Sequence, residues 1–455
     1  MLNNVIHAVW RSSTINLDNE VIIMILYDLN SLSNISNICL QSSTHSPSQT
    51  QWIGALSALL NEISTKAPFL AEIQAKETGK PVHFCEIEVM RCMTQIRQAI
   101  EFMHTNQVLI SNNCQIKKIP VGRVLALTTF SSPYSSIFHK LLPAMLSNNI
   151  FLICVSPLAY NCSKYLFEMI ERCLSLYIAN INQHIFLVSN LIPPESVITH
   201  FDFQYIMFTG KTQTAASIKK VIGYKRGTFE TGSNALAYID SSCKNNLKKV
   251  AHKLIHAAFD QSGQRCIALK NLFIQANFVQ PLLNSIVEFS SRLKIGNPLL
   301  ADTVVGPLFP DHLRRLINSV EDLESHGYQR LCGEQINDNL LKPIILLDKF
   351  GTYSSIQELY GPVLCVHVVN SLDDINADYW MRSSLSSSCY SEDLHIQQDF
   401  ILCCNSSGSI CINCGPDYRN DLIPFGGFYY ENDGKEDFHS LMHELYHEQY
   451  IFNAD

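Results

Sequence analysis

Seven runs between Val121 and Ile222 set the architecture: VGRVLALTT (121–129), IFHKLLPAML (137–146), IFLICV (150–155), KYLFEMIERCL (164–174), IFLV (185–188), YIMF (205–208) and TQTAASIKKVI (212–222). Short β-branched or aliphatic runs alternate with longer amphipathic ones. This is the pattern of βαβ units, in which buried parallel strands are joined by helical crossovers. A second series continues it: Ala235–Ile239, Leu247–Ala258, Asn271–Ile274, Gln280–Leu293 and Val363–Val369. Ahead of both, Trp52, Leu56, Leu59, Leu60 and Ile63 recur at helical spacing, and the helical texture extends from about residue 48 to Gln107. The first 45 residues give no reading. The expected fold class is α/β, with two consecutive α/β halves.

Composition narrows the function. A chain of 455 residues has room for two or three domains, and 47% hydrophobic with 16% charged residues marks it as globular rather than disordered. The net charge of -8, without a local run of Lys or Arg, predicts no nucleic-acid partner. The longest apolar stretches, such as Val21–Tyr27 and Ile150–Val155, are far shorter than a membrane span, so no membrane partner is expected. The N-terminus, Met1-Leu2-Asn3-Asn4-Val5, lacks the features of a signal peptide, which predicts a cytoplasmic location. The 16 cysteines are scattered, often in apolar runs (Cys154, Cys365, Cys411), and read as reduced thiols.

Two segments could carry chemistry. In Phe259-Asp260-Gln261-Ser262-Gly263-Gln264-Arg265-Cys266 a helix ends and a glycine turn presents Cys266 before a strand. A cysteine there is either a nucleophile, which needs local positive potential to be a thiolate, or one loop cysteine among many. In Phe229-Glu230-Thr231-Gly232-Ser233-Asn234 a carboxylate lies among apolar and small residues. Glu230 is either a general base with a raised pKa or a solvated residue at a strand edge.

Two metal motifs compete. His443-Glu444-Leu445-Tyr446-His447 has the H-E-x-x-H spacing of a zinc helix. A third ligand is missing, however, and the expected helix over Phe438–Tyr450 accounts for His439, His443 and His447 as one polar face. Cys411-Ile412-Asn413-Cys414 lies downstream of Cys403 and Cys404, but adjacent cysteines on a strand would point to opposite sides and chelate poorly. No metal site is expected.

The order Glu-Thr-Gly-Lys-Pro (77–81), Pro120-Val121-Gly122, Pro143-Ala144, Phe208-Thr209-Gly210, Phe229-Glu230-Thr231-Gly232, Gly263-Gln264-Arg265-Cys266, Lys294-Ile295-Gly296-Asn297-Pro298, Gly306-Pro307-Leu308, Glu358-Leu359-Tyr360-Gly361-Pro362 and Pro424-Phe425-Gly426-Gly427 resembles the aldehyde dehydrogenase superfamily. Gly263–Cys266 and Asn234–Asp240 are most similar to the succinylglutamate semialdehyde dehydrogenases of arginine catabolism. The resemblance implies a doubly wound, Rossmann-like cofactor domain over residues 1–235 with an arm near 108–122. A catalytic α/β domain would follow over 236–407, and a small oligomerisation segment over 408–455. It further implies a small aldehyde as substrate, NAD or else NADP as cofactor, and assembly as a homodimer or homotetramer.

In that resemblance Cys266 attacks the aldehyde carbon and Glu230 activates the water that hydrolyses the resulting thioester. Glu358, with Tyr360 beside it, and Gly232 belong to the cofactor site. Gly210 opens the helix at Thr212, whose N–H groups face the pyrophosphate, with Lys211 next to them. Several positions depart from the family. Ser131, two residues before Pro133, replaces an Asn that donates to the oxyanion. Cys154 and Pro157 replace the Lys and Glu that hold the adenosine ribose. Ala215 and Ser233 each replace a glycine. These departures leave a second reading open, a degenerate member of the same fold kept as a binding or structural protein.

Overall fold

The computed structural model describes residues 25–26, 47–105, 114–348, 358–382, 385–421, 423–428 and 432–452. Apart from residues 25–26, the first 45 residues lie outside this set, as does the part of the expected arm at 108–113.

The chain forms two compact units, one from residues 1–70, 88–228 and 436–455, the other from 71–87 and 229–435. One division between them falls at Thr228–Phe229. The units interleave, however, where the sequence suggested consecutive domains: residues 71–87 join the second unit, and 436–455 return to the first. Strand pairing causes the return. Tyr446–Phe452 runs antiparallel to Cys114–Pro120, from Tyr446 opposite Pro120 to Phe452 opposite Cys114. The helix expected over 438–450 therefore stops at Glu444, as Tyr450-Ile451-Phe452, strong strand formers, take up ladder bonds. His439 and His443 remain helical while His447 lies on the strand, so the H-E-x-x-H spacing has no helical face to act through. Among the described residues no group of three or more His, Cys, Asp or Glu could hold a metal ion.

The long N-terminal helical texture is two helices, Gln49–Thr78 and Val82–Thr105. Between them Gly79 takes φ +76, and a Cβ there would overlap the carbonyl of Pro307.

In the first unit the strands lie in the order Ile25–Leu26, Ile185–Val188, Ile150–Cys154, Arg123–Leu127 and Tyr205–Thr209, followed by Arg226–Glu230. The first five are parallel, with Leu125 opposite both Leu152 and Ile206. Val124, Leu125, Phe151, Leu152 and Ile153 are buried completely, which explains why these strands read as continuous apolar runs rather than alternating ones. Helices Pro133–Leu146 and Tyr160–Ser175 carry the chain outward, and Pro194–His200 leads back across. The winding thus reverses between Arg123–Leu127 and Tyr205–Thr209. At such a switch point the carboxyl ends of the strands open a crevice for ligands.

The second unit has its own seven-stranded sheet, ordered Tyr328–Cys332, Ile344–Asp348, Val363–Val369, Asn271–Gln275, Leu236–Ile239, Ser386–Tyr390 and Ser409–Ile412. Only the Tyr328–Cys332 pairing is antiparallel. Helices Leu247–Phe259 and Val279–Ser291 pack through Leu254, Ala258, Leu282 and Ile286 into one core with Leu272 and Val366. Cys403 ends the helix Leu394–Cys403 and Cys404 caps it, so the pair is not on a strand as expected.

One buried charge in the first unit yields a stability prediction. Glu171 on Tyr160–Ser175 is 1% exposed, and neither carboxylate oxygen has a hydrogen-bond partner among the described residues. Burial, reinforced by Glu168, pushes its pKa from 4.5 up to about 7. The folded state then binds a proton that the unfolded state releases, so stability falls as pH rises from 4.5 through about 7. Glu171→Gln is expected to add up to about 3 kcal/mol at pH 8 and little at pH 5, read by denaturant unfolding at both pH values. An equal effect at both would contradict this origin.

Candidate active site

The Cys266 loop is built by left-handed backbone. After helix Leu247–Phe259, Gln261, Ser262 and Gly263 take φ values of 56°, 59° and 64° in succession. Gly263 must be glycine, because a Cβ there would overlap the carbonyl of Gly361. The Ser262 hydroxyl accepts from the Gly306 N–H at 2.9 Å and donates to the Gly306 carbonyl at 3.2 Å. Arg265 grips what precedes the cysteine. Its guanidinium donates to the carbonyls of His256 and Ala257, both at 3.0 Å, and pairs with Asp417 at 3.1 Å. Those carbonyls belong to the last helical turn, where His256 also accepts from the Asp260 N–H and Ala257 from the Leu269 N–H. His256 Nδ1 lies 2.8 Å from Asp260 Oδ1, and this contact is the main reason its pKa is raised. Cys266 emerges half-buried from this frame.

The segment 358–361 is fastened to the same loop. Tyr360 donates its hydroxyl to the Gln264 carbonyl at 2.9 Å. Lys270, 2% exposed, donates to the Gly263 carbonyl at 2.6 Å and reaches the Gly361 carbonyl at 3.4 Å. Burial brings its pKa down to about 8, opposed by Glu358 and assisted by Arg265. Glu358 lies against Gly232, where a Cβ would overlap its carboxylate. The close approach, not a turn, is what demands glycine at 232. Two residues earlier Glu230 is buried at the end of Arg226–Glu230, opposite Asn432, and a Cβ at Gly426 would stand 2.8 Å from its Oε1. Cys266, Glu230, Gly232, Glu358 and Tyr360 thus all fall in the second unit, joined by close backbone approaches at Gly232 and Gly263.

The other expected site residues lie at the switch point of the first unit. Ser131 follows the strand Arg123–Leu127, half-buried, with its hydroxyl 3.4 Å from that of Thr129. The next turn is pinned by Glu88, whose Oε1 accepts from the N–H groups of Tyr134 at 2.9 Å and Ser135 at 3.0 Å. A carboxylate on that helix N-terminus is favoured by the macrodipole, with Pro133 suited to the first turn. Gly210 follows Tyr205–Thr209, and a Cβ there would stand 2.5 Å from the Phe208 ring. Lys211 is the N-cap of Thr212–Ile222 but makes no side-chain cap, leaving the first N–H groups to other acceptors. Cys154 is buried at its strand end, where desolvation pushes its thiol pKa up, and Pro157 opens an exposed 3-10 turn.

Each unit, taken by itself, offers some partners for a dinucleotide and lacks others. The uncapped helix end suits a pyrophosphate, and the Glu358 carboxylate can accept from ribose hydroxyls. A neutral buried thiol at 154 and a proline at 157 offer the adenosine ribose no strong partner.

Sequence reading missed Glu88, Lys270 and a buried cluster at the end of Tyr205–Thr209. There Lys140 ion-pairs with Glu436 and donates to the Thr209 hydroxyl at 2.6 Å, while that hydroxyl donates to Glu436 at 3.2 Å. One signal was available: Lys140 is the lone full charge in IFHKLLPAML (137–146).

The family model described as "Aldehyde dehydrogenase family" matches residues 45–451. Lactaldehyde dehydrogenase of Methanococcus maripaludis is 26% identical over 404 residues, covering 86% of this chain and 85% of its own. Sulfoacetaldehyde dehydrogenase of Neptuniibacter caesariensis is 28% identical over 422 residues, covering 86% and 87%. Among solved structures, glyceraldehyde-3-phosphate dehydrogenase GapN of Methanocaldococcus jannaschii, complexed with NADP, superposes with a TM-score of 0.86 at 23% identity, covering 95% of this chain and 96% of that one.

Proposed function

This chain belongs to the aldehyde dehydrogenase family, oxidising aldehydes to acids with NAD(P), and from that premise we propose that Cys266 is its nucleophile and Glu230 its hydrolytic base. The observation that carries the reading is the frame around Cys266: three consecutive left-handed residues, the Arg265 anchor and the Lys270 and Tyr360 ties to the Glu358 segment.

The Cys266 thiolate adds to the aldehyde carbon, forming the C–S bond and moving the carbonyl electron pair onto oxygen. By the family resemblance, a backbone N–H and Ser131, which stands where the family has Asn, would hold that oxyanion. NAD(P), when bound, supplies the hydride acceptor. Gly210, Lys211 and the first N–H groups of Thr212–Ile222 would hold its pyrophosphate, and Glu358 would hold the nicotinamide ribose, with Tyr360 and Gly232 beside it. Glu230 then takes a proton from water, which attacks the thioester and releases the acid and the thiolate. Glu230 is buried, and its carboxylate is the group that would take the proton of the attacking water.

We assign the pyrophosphate part of the cofactor role to the first unit, and the nicotinamide ribose and the covalent chemistry to the second. The Cys114–Pro120 and Tyr446–Phe452 ribbon, which exposes Tyr450 and Phe452, is assigned to self-association as a homodimer or homotetramer. The substrate is a small aldehyde. The relatives' names support lactaldehyde and sulfoacetaldehyde, and the Gly263–Cys266 resemblance supports succinylglutamate semialdehyde. Cys154 and Pro157 lead to weak cofactor binding with little preference between NAD and NADP, since neither attracts nor repels a 2′-phosphate. Reduction of each cofactor with these three aldehydes, and calorimetric titration of each cofactor, test the proposal. Turnover with one aldehyde and similar, weak affinity for both cofactors is expected. Tight binding of NAD alone would show that other residues replace the lost ribose ligands, and no turnover with any aldehyde would favour a binding protein.

A further inference from the structure

A lysine inside a core needs a reason. Lys270 is 2% exposed, begins no helix and forms no ion pair within 4 Å among the described residues, yet its Nζ touches two backbone carbonyls from separate segments. One, Gly263, belongs to the loop that presents Cys266; the other, Gly361, lies three residues after Glu358. The Tyr360 ring centroid is 5.8 Å from Nζ, and the Tyr360 hydroxyl makes the second tie between the same two segments. The ionisable groups acting on Lys270 are Glu358, Arg265, Cys266 and Cys365. Arg265 commits its guanidinium to Asp417 and to two helix carbonyls. Lys270 is thus a buried cation bonded directly to the loop that presents the cysteine, and Cys266 is among the groups that act on it.

We infer that Lys270 is a positioning residue whose ammonium fixes the Cys266 loop to the Glu358 segment and supplies the positive potential that keeps Cys266 a thiolate. A neutral residue of the same length could fill the space and even bond the carbonyls, but it could not stabilise an anion four residues away. The cation also faces Glu358, so thiol reactivity and the cofactor carboxylate respond to one buried charge.

The inference rests on Cys266 being the nucleophile. Its test is the pH profile of Cys266 alkylation by iodoacetamide, followed at that peptide by mass spectrometry in the full-length protein. Lys270→Gln keeps an N–H donor and removes the charge. It is expected to move the alkylation midpoint up by about one pH unit and to slow alkylation about tenfold at pH 7. Tyr360→Phe removes the other tie and keeps the charge, and is expected to leave the midpoint in place. An unmoved Lys270→Gln midpoint overturns the inference, as does a Tyr360→Phe shift of the same size, which would make the tether and not the charge the agent. If Lys270→Gln does not fold, Lys270→Met, which removes the charge without burying a new dipole, takes its place and is read by the same midpoint. Retained turnover in Cys266→Ala would instead remove the nucleophile assignment, so the two failures are distinguishable.

Discussion

Cys266→Ala is expected to lower NAD(P)-dependent aldehyde oxidation by roughly 10⁴- to 10⁶-fold, the scale on which covalent catalysis loses its nucleophile. The alanine fits the same half-buried position, and the left-handed run at Gln261, Ser262 and Gly263 and the Arg265 anchor do not depend on the thiol. The variant should therefore fold and bind cofactor like the wild type, with the loss confined to kcat. Glu230→Gln separates the two halves of the reaction. Acylation does not need its carboxylate, so a rapid burst of reduced cofactor, close to one per active subunit, should precede a slow steady state. Stopped-flow absorbance of the reduced nicotinamide reads both. Wild-type turnover in Cys266→Ala would reject the covalent mechanism, and loss of the burst in Glu230→Gln would place that residue in the first half.

The second large effect is on stability. Lys140→Met should cost about 3–5 kcal/mol, because it leaves the Glu436 carboxylate buried without its cation. The Thr209 hydroxyl, a neutral donor at 3.2 Å, does not replace that charge. Lys140→Met combined with Glu436→Gln removes both charges and should recover most of the loss, since a neutral pair in the same space escapes the desolvation penalty. Denaturant unfolding of the two single variants and the double variant gives the coupling. If the double variant is as unstable as the sum of the singles, the pair does not act as a unit.

Local pattern carried much of the reading. Every strand of the Val121–Phe208 series lies where its apolar run lies, because a parallel strand buried on both faces must be apolar throughout. The helix Thr212–Ile222 has the bounds its sequence suggested. The Cys266 turn was legible too, as Gly263 sits where only glycine tolerates the neighbouring carbonyl. Single-segment reasoning failed where a partner far along the chain made the choice. Phe438–Tyr450 has a helical pattern, and its second half became a strand because Cys114–Pro120 offered it a ladder.

Sequence by itself determined the parallel α/β architecture and the order of its elements, the turn that presents Cys266, and the resemblance that points to Glu230 and Glu358. These depend on hydrophobic period, turn chemistry and short motifs, all written within a few residues of each other. Only the tertiary structure decided the interleaving of the two units, the Lys140–Glu436 pair formed across 296 residues, and the burial of Lys270 between two backbone segments. A lysine in a sequence carries no mark of its solvation. Its effect on chemistry depends on the dielectric around it and on which carbonyls and charges it meets, and those are settled only when distant segments pack against one another.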